Sequence, residues 1–211
     1  MLSAEGVRVM LEQPVKSLVI GGETLEVVDK FCYLGDMISV GAGESSVARI
    51  RSGWKKFREL LPLLTSRVFS LRTRGRAFEA CVRSVVLYGS ETWPVKEEDL
   101  VRLERNDMRM VRWMCNVTLK DRKSSEELRD RLGLVAIRDC VQRGRLRWFG
   151  HVERMNDDNW VKKSREIAVE GRRGRGRPCK TWKEVVQADL RAKGIEHNLA
   201  QDRVKWKRAI K

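Results

Sequence analysis

Apolar positions in this chain change their period once. Over residues 17–40 they come in short β-type runs: Ser17-Leu18-Val19-Ile20, then Leu25-Glu26-Val27-Val28, with Gly21-Gly22 between them as a hairpin turn signal. Phe31, Tyr33 and Met37 to Val40 continue the pattern, and Gly41 to Gly43 reads as a loop. From Ser45 onward the spacing is helical. Val47, Ile50, Trp54, Phe57, Leu61 and Leu64 recur at steps of three and four, the stripe of an amphipathic helix. Pro62 should end that helix near Leu60 or Leu61. A second helix is predicted over about 70–88, with Leu71, Phe78, Cys81, Val82, Val85 and Val86 inward, and Gly89 and Pro94 bracketing the break after it. A third spans about 96–116, with Glu97, Glu98 and Asp99 at the positive end of its dipole and Leu100, Leu103, Val111 and Met114 on its apolar side. Ser124 or Ser125 caps a fourth that ends at Gly133. A fifth, about 135–155, packs Ile137, Val141, Leu146, Phe149 and Val152, and a last, about 181–193, packs Trp182, Val185, Val186 and Leu190. The fold class predicted is mainly α, with a short N-terminal β-hairpin before about six helices.

Composition narrows the function. Hydrophobic residues at 42% suffice for a core, and 211 residues accommodate one or two domains. Lys and Arg total 44 against 29 acidic residues, a net charge of +15. That balance favours a polyanionic partner, nucleic acid before an anionic membrane surface. The surplus is uneven. Residues 1–40 hold three basic and six acidic residues (3 − 6 = −3), so the other residues carry +18. No apolar run approaches the roughly 18 residues of a membrane span. No basic n-region with an apolar core marks a secretory signal. Five cysteines (32, 81, 115, 140 and 179) form no CxxC pair. The expectation is an intracellular chain of nucleus or cytoplasm, with reduced thiols and no membrane partner.

The sharpest local feature is Gly171-Arg-Arg-Gly-Arg-Gly-Arg-Pro-Cys-Lys180, with five basic residues and no acid. Its Arg175-Gly176-Arg177-Pro178 core is similar to the AT-hook, whose extended backbone lies in the DNA minor groove. Glycine allows close approach, and A·T tracts concentrate negative potential there. The alternative is a solvated loop touching phosphates without preference. Arg143-Gly-Arg-Leu-Arg-Trp-Phe-Gly-His151 mixes basic and aromatic residues. Either Arg143, Arg145 and Arg147 reach phosphates while Trp148 or His151 stacks on an unpaired base, or Trp148 and Phe149 belong to the core. The two histidines, His151 and His197, lack the close paired ligands of a structural zinc site, so no metal is expected. Asp157-Asp158 reads as a polar turn after a helix. Nothing in the sequence forms a catalytic constellation.

Several segments, in order, resemble the C-terminal part of the endonuclease–reverse transcriptase of non-LTR, LINE-type retrotransposons. They are Phe31-Cys-Tyr-Leu-Gly35, Val86-Leu-Tyr-Gly-Ser-Glu-Thr-Trp93, Arg145-Leu-Arg-Trp-Phe-Gly-His-Val152 with Arg154-Met155, Arg175-Gly-Arg-Pro178 with Thr181-Trp182, and Asp202-Arg203 with Trp206. Each is weak alone; five in fixed order over most of the chain are not. The resemblance implies that Phe31, Tyr33, Leu34 and Gly35 act as a primer grip at the palm edge. It implies a division into a palm-edge segment (1–44), a thumb-like helical domain (45–95) and a basic helical C-terminal domain (96–211). The family's polymerase needs an aromatic-x-Asp-Asp turn and an upstream Asp to hold two magnesium ions, and both precede the primer grip. The chain is therefore expected to hold RNA, DNA or a hybrid of the two without catalysis, and to carry no cofactor of its own, since Mg²⁺ belongs to the parent polymerase domain. The candidate contacts are Arg49, Arg51, Lys55, Lys56 and Arg58 on the first helix, Arg143, Arg145 and Arg147 on the fifth, and Arg172, Arg173, Arg175, Arg177 and Lys180 on the Gly/Arg loop. The alternative is a host-retained helical protein whose basic surface serves chromatin or an acidic protein.

Overall fold

A computed structural model describes residues 17–20, 23–26, 28, 30–33, 36–39, 44–93, 96–167 and 180–211. The protein is mainly helical. Met1–Ser45 and Ser46–Lys211 are separate compact units. In the first, β1 (Ser17–Ile20) pairs antiparallel with β2 (Glu23–Glu26), and β3 (Lys30–Tyr33) with β4 (Asp36–Ser39). The Gly21-Gly22 turn and the Gly41 to Gly43 loop lie outside the described residues.

The helices begin with α1 (Glu44–Glu59) and α2 (Leu61–Leu64). Pro62 separates them because it has no N–H to continue the α1 ladder, while the first turn of α2 needs none from it. Ser70 caps α3 (Leu71–Phe78), its hydroxyl accepting from the Thr73 amide at 3.1 Å. The helix continues through a π-helical turn, Glu79–Arg83, into Ser84–Val86. Then come α4 (Glu97–Met114), α5 (Ser125–Leu132) capped by Ser124, α6 (Ile137–Glu153), α7 (Trp160–Glu166), α8 (Trp182–Lys193) and α9 (Arg203–Ala209). The reading by periodicity did not include α7 and α9. Each is only seven residues long, and their exposed Trp160, Val161 and Val204 blur any apolar stripe. Among the described residues, no helix is long and apolar enough to cross a membrane.

One core cluster joins Phe57, Leu64, Phe78 and Val82 to Met110, Val111, Met114, Leu128 and Leu132. Phe57 and Phe78 meet edge to face at 6.2 Å. Helices on both sides of residue 95 thus share this core, so the break after Gly89 separates helices without separating hydrophobic interiors. Gly75 makes the α3–α5 approach possible: a Cβ there would lie 2.0 Å from the carbonyl oxygen of Leu132. A second cluster packs Leu146 and Phe149 of α6 against Val186, Leu190, Ala200, Trp206 and Ile210. Helix α6 is therefore the shared wall between the C-terminal helices and the rest.

Buried charge fixes the helices' relative positions. Arg83 is almost fully buried and grips Asp107 of α4 with two hydrogen bonds, 2.9 and 2.7 Å, while a third reaches the Val135 carbonyl at 2.8 Å. Burial by itself would lower the Arg83 pKa; the hydrogen bonds and charge of Asp107 outweigh it and raise it. Arg138 of α6 holds Glu97 at 2.7 Å and Glu104 at 2.8 Å, both on α4. The hydrogen bonds from Arg138 draw the Glu97 carboxyl below its ordinary range.

Candidate nucleic-acid interface

Helix α6 has two working faces. Ile137, Val141, Phe149 and Val152 turn into the core, whereas Gly144, Arg147, Trp148, His151 and Arg154 recur at helical spacing on another side. Helix α9 presents Arg203, Trp206, Lys207 and Ile210 by the same rule. Asp202 starts α9 by accepting hydrogen bonds from the amides of Val204 and Lys205, at 2.9 and 3.0 Å. These bonds, the one from Lys205 foremost, hold its carboxyl below the usual carboxylate range. Trp206 locks the two helices together, its indole N–H donating to the Leu146 carbonyl at 3.1 Å. Gly150 leaves room for this ring, since a Cβ there would lie 2.2 Å from the indole nitrogen.

Between these faces runs a groove of about 730 Å³, closed at one side by Glu91 and Thr92 of the 3₁₀ turn Ser90–Thr92. Four cations line it (Arg147, Arg154, Arg203 and Lys207) against one acid, Glu91. Among the described residues, no carboxylate lies within ion-pair distance of any of the four. Arg154 donates one hydrogen bond to the Ala200 carbonyl. Its pKa is lowered, first by burial and then by the like charge of Arg203. Trp148 and His151 lie with ring centroids 5.5 Å apart, tilted at 44°. An unneutralised cationic groove with an aromatic wall suits an anion that carries a flat ring system.

The candidates chosen from sequence divide accordingly. Arg147 is in the groove. Arg145 is a correction: it sits four residues after Val141 and four before Phe149, on the buried face, and its Nε lies 2.9 Å from Asp189 of α8. Asp189 also accepts from Gln142 at 3.2 Å. Burial lowers the Arg145 pKa more than Asp189 raises it. This guanidinium is part of the interior and cannot meet a phosphate. Arg143 donates to the Lys211 carbonyl at 3.1 Å. Of the two aromatics, Phe149 is core and Trp148 borders the groove.

On α1, Arg51, Lys55 and Arg58 are exposed at intervals of four and three, so they form one row along the helix. Lys56 pairs with Glu59 at 3.1 Å. Arg49 lies 4.5 Å over the exposed ring of Tyr88 and is half-buried there. Phe31 and Tyr33 lie in β3, opposite Ile38 and Asp36. Leu34 and Gly35 fall outside the described residues, as do Arg172, Arg173, Arg175 and Arg177; Lys180 is exposed. Asp157 and Asp158 form a turn and pair with Lys162 and Lys163, which fits the polar-turn reading. Among the described residues, no group of three His, Cys, Asp or Glu side chains could hold a metal ion.

Sequence reasoning missed Arg154, Arg203 and Lys207 as site residues. The signal was present, because residues 147, 151 and 154, and again 203 and 207, share a helix face. What the sequence did not show was that the two faces meet. It also missed a second groove, about 810 Å³, on α4 and the segment after it. There Arg105, Arg109 and Arg112 flank Trp113, and Arg109 lies 5.5 Å from the ring centroid of Trp54.

The chain is similar to a transposon-derived protein of Caenorhabditis elegans, 23% identical over 201 residues, which cover 89% of this chain and 72% of that protein. This similarity suggests a transposon origin. No family profile matches the chain, and no solved structure matches it.

Proposed function

We propose that this chain is a nucleic-acid-holding part of a reverse transcriptase of the non-LTR retrotransposon type. It binds a primer–template or target DNA through its helical unit and leaves polymerisation to residues it does not itself supply. The observation that carries this reading is the groove between α6 and α9, where four cations face one carboxylate. The exposed row Arg51, Lys55 and Arg58 on α1 supplies a separate surface, outside the groove, for the phosphate backbone of a duplex. The ordered sequence resemblance and the transposon-derived relative support a mobile-element source. In this reading Phe31, Tyr33, Leu34 and Gly35 belong to the palm edge and the Gly/Arg segment adds a further contact.

Binding of labelled duplex DNA and of an RNA–DNA hybrid, titrated against salt, tests the proposal. If about six phosphates are neutralised, log K falls against log salt with a slope near −5 on a duplex, and the hybrid binds more tightly than DNA. Absence of binding at about 50 mM salt, or an affinity indifferent to salt, overturns it.

A further inference from the structure

The two guanidiniums of Arg154 and Arg203 are the least explained feature of the helical unit. Both line the α6–α9 groove, and neither has a carboxylate within ion-pair distance among the described residues. Two like charges brought together repel, and partial burial of Arg154 aggravates this. Of their neighbours in the groove, Arg147 and Lys207 add charge of the same sign, and the one acid there, Glu91, is within ion-pair distance of neither. Arg154 uses one of its five N–H donors on the Ala200 carbonyl, and Arg203 makes no hydrogen bond through its side chain to another described residue. A tetrahedral oxyanion between them would take up the free donors and neutralise the repulsion.

The second half of the ligand is indicated by Trp148. Its ring is half-buried and meets His151 at a tilt rather than in a parallel stack. Its indole N–H has no partner among the described residues. A nucleobase offers a flat π-face for such a ring, whereas an acidic side chain offers none. In a duplex each base is already stacked on its neighbours, so only an unpaired base is free to lie on an indole. The groove volume, about 730 Å³, is that of a small-ligand site and takes nucleotide-sized groups rather than the body of a double helix.

We propose that the α6–α9 groove binds an unpaired, single-stranded stretch of nucleic acid, with one phosphate between Arg154 and Arg203 and the adjoining base on Trp148. The assignment rests on the nucleic-acid reading above and specifies the strand state that this groove accepts. Arg147 and Lys207 follow the flanking phosphates.

The full chain is tested with a labelled single-stranded oligonucleotide, a blunt duplex of the same sequence, and poly-glutamate as competitor. Trp148→Ala is expected to weaken single-strand binding about ten-fold, the order of one lost base stack, and to leave duplex binding unchanged. Trp148→Phe should recover most of the loss. Arg203→Ala, at an exposed position, should weaken single-strand binding and reduce its salt slope by about 0.7. Far-ultraviolet circular dichroism of each variant checks that the helices persist, and Arg203→Ala decides the matter should Trp148→Ala unfold. Equal losses on single strand and duplex, or none on either, overturn the assignment while leaving general nucleic-acid binding in place. Poly-glutamate displacing the oligonucleotide at equal charge overturns it in favour of a protein ligand. A wild-type chain that binds neither nucleic acid overturns the wider reading as well.

Discussion

Arg145 and Arg147 stand two positions apart and have opposite roles. Arg145 is buried against Asp189; Arg147 faces the groove. Arg145→Ala should therefore lower the denaturation midpoint, because it strands the half-buried Asp189 without its partner. Arg147→Ala should weaken nucleic-acid binding with little effect on that midpoint. A midpoint unchanged by Arg145→Ala would contradict its place in the interior. The larger loss belongs to Arg83. Breaking a buried ion pair by removing one partner costs about 3–5 kcal/mol. Arg83→Ala or Asp107→Ala should lose about that much in urea unfolding, and replacing both by apolar residues of similar size should lose less. Sequence could show that these arginines were there. It could not separate the inward guanidiniums from the outward ones, because a buried arginine is recognised only by the acid opposite it, 24 or 44 positions away.

Helix ends were the most legible elements. Pro62 and the Ser124 cap act through contacts within a few residues, so local sequence contains the whole cause. Ser124→Ala is expected to cost about 1 kcal/mol, visible as a small drop in thermal midpoint. Glycines in mid-helix were not legible in the same way. Gly75 reads as a weak helix former, yet its place is set by the Leu132 carbonyl of another helix. Gly150 is likewise set by Trp206, sixty positions from the carbonyl that Trp206 meets. Gly150→Ala should push α9 off α6, costing about 1–3 kcal/mol by overpacking and weakening binding in the groove as well. Stability kept with binding lost would still fit a displaced α9; both kept would not. The short helices α7 and α9 escaped the periodicity argument because one buried residue, Trp206, anchors most of α9 and a lone apolar position has no period.

At the scale of the whole molecule, charge contributes to stability. The Arg138 link to Glu97 and Glu104 ties α4 to α6, and it is made of exposed or half-exposed groups. Since the folded Glu97 carboxyl is held below its ordinary pKa, its stabilisation is complete above the ordinary carboxylate range and lost as pH falls towards the depressed value. The thermal midpoint should therefore drop on acidification below about pH 4, and Glu97→Gln should make that drop shallower.

The surplus of 44 basic over 29 acidic residues was plain from composition, and so were the amphipathic stripes and most helix boundaries. These properties depend on each residue and its near neighbours, so the sequence by itself determined a basic, mainly helical protein. Which cations were consumed by partners, and which were left facing a groove, depended on contacts across tens of residues. Arg83 and Arg145 are paired with acids inside the fold, whereas Arg154 and Arg203 line one groove with no carboxylate within ion-pair distance among the described residues. Only the tertiary structure decided that, because a long-range meeting of two helix faces leaves no trace in the period of either one.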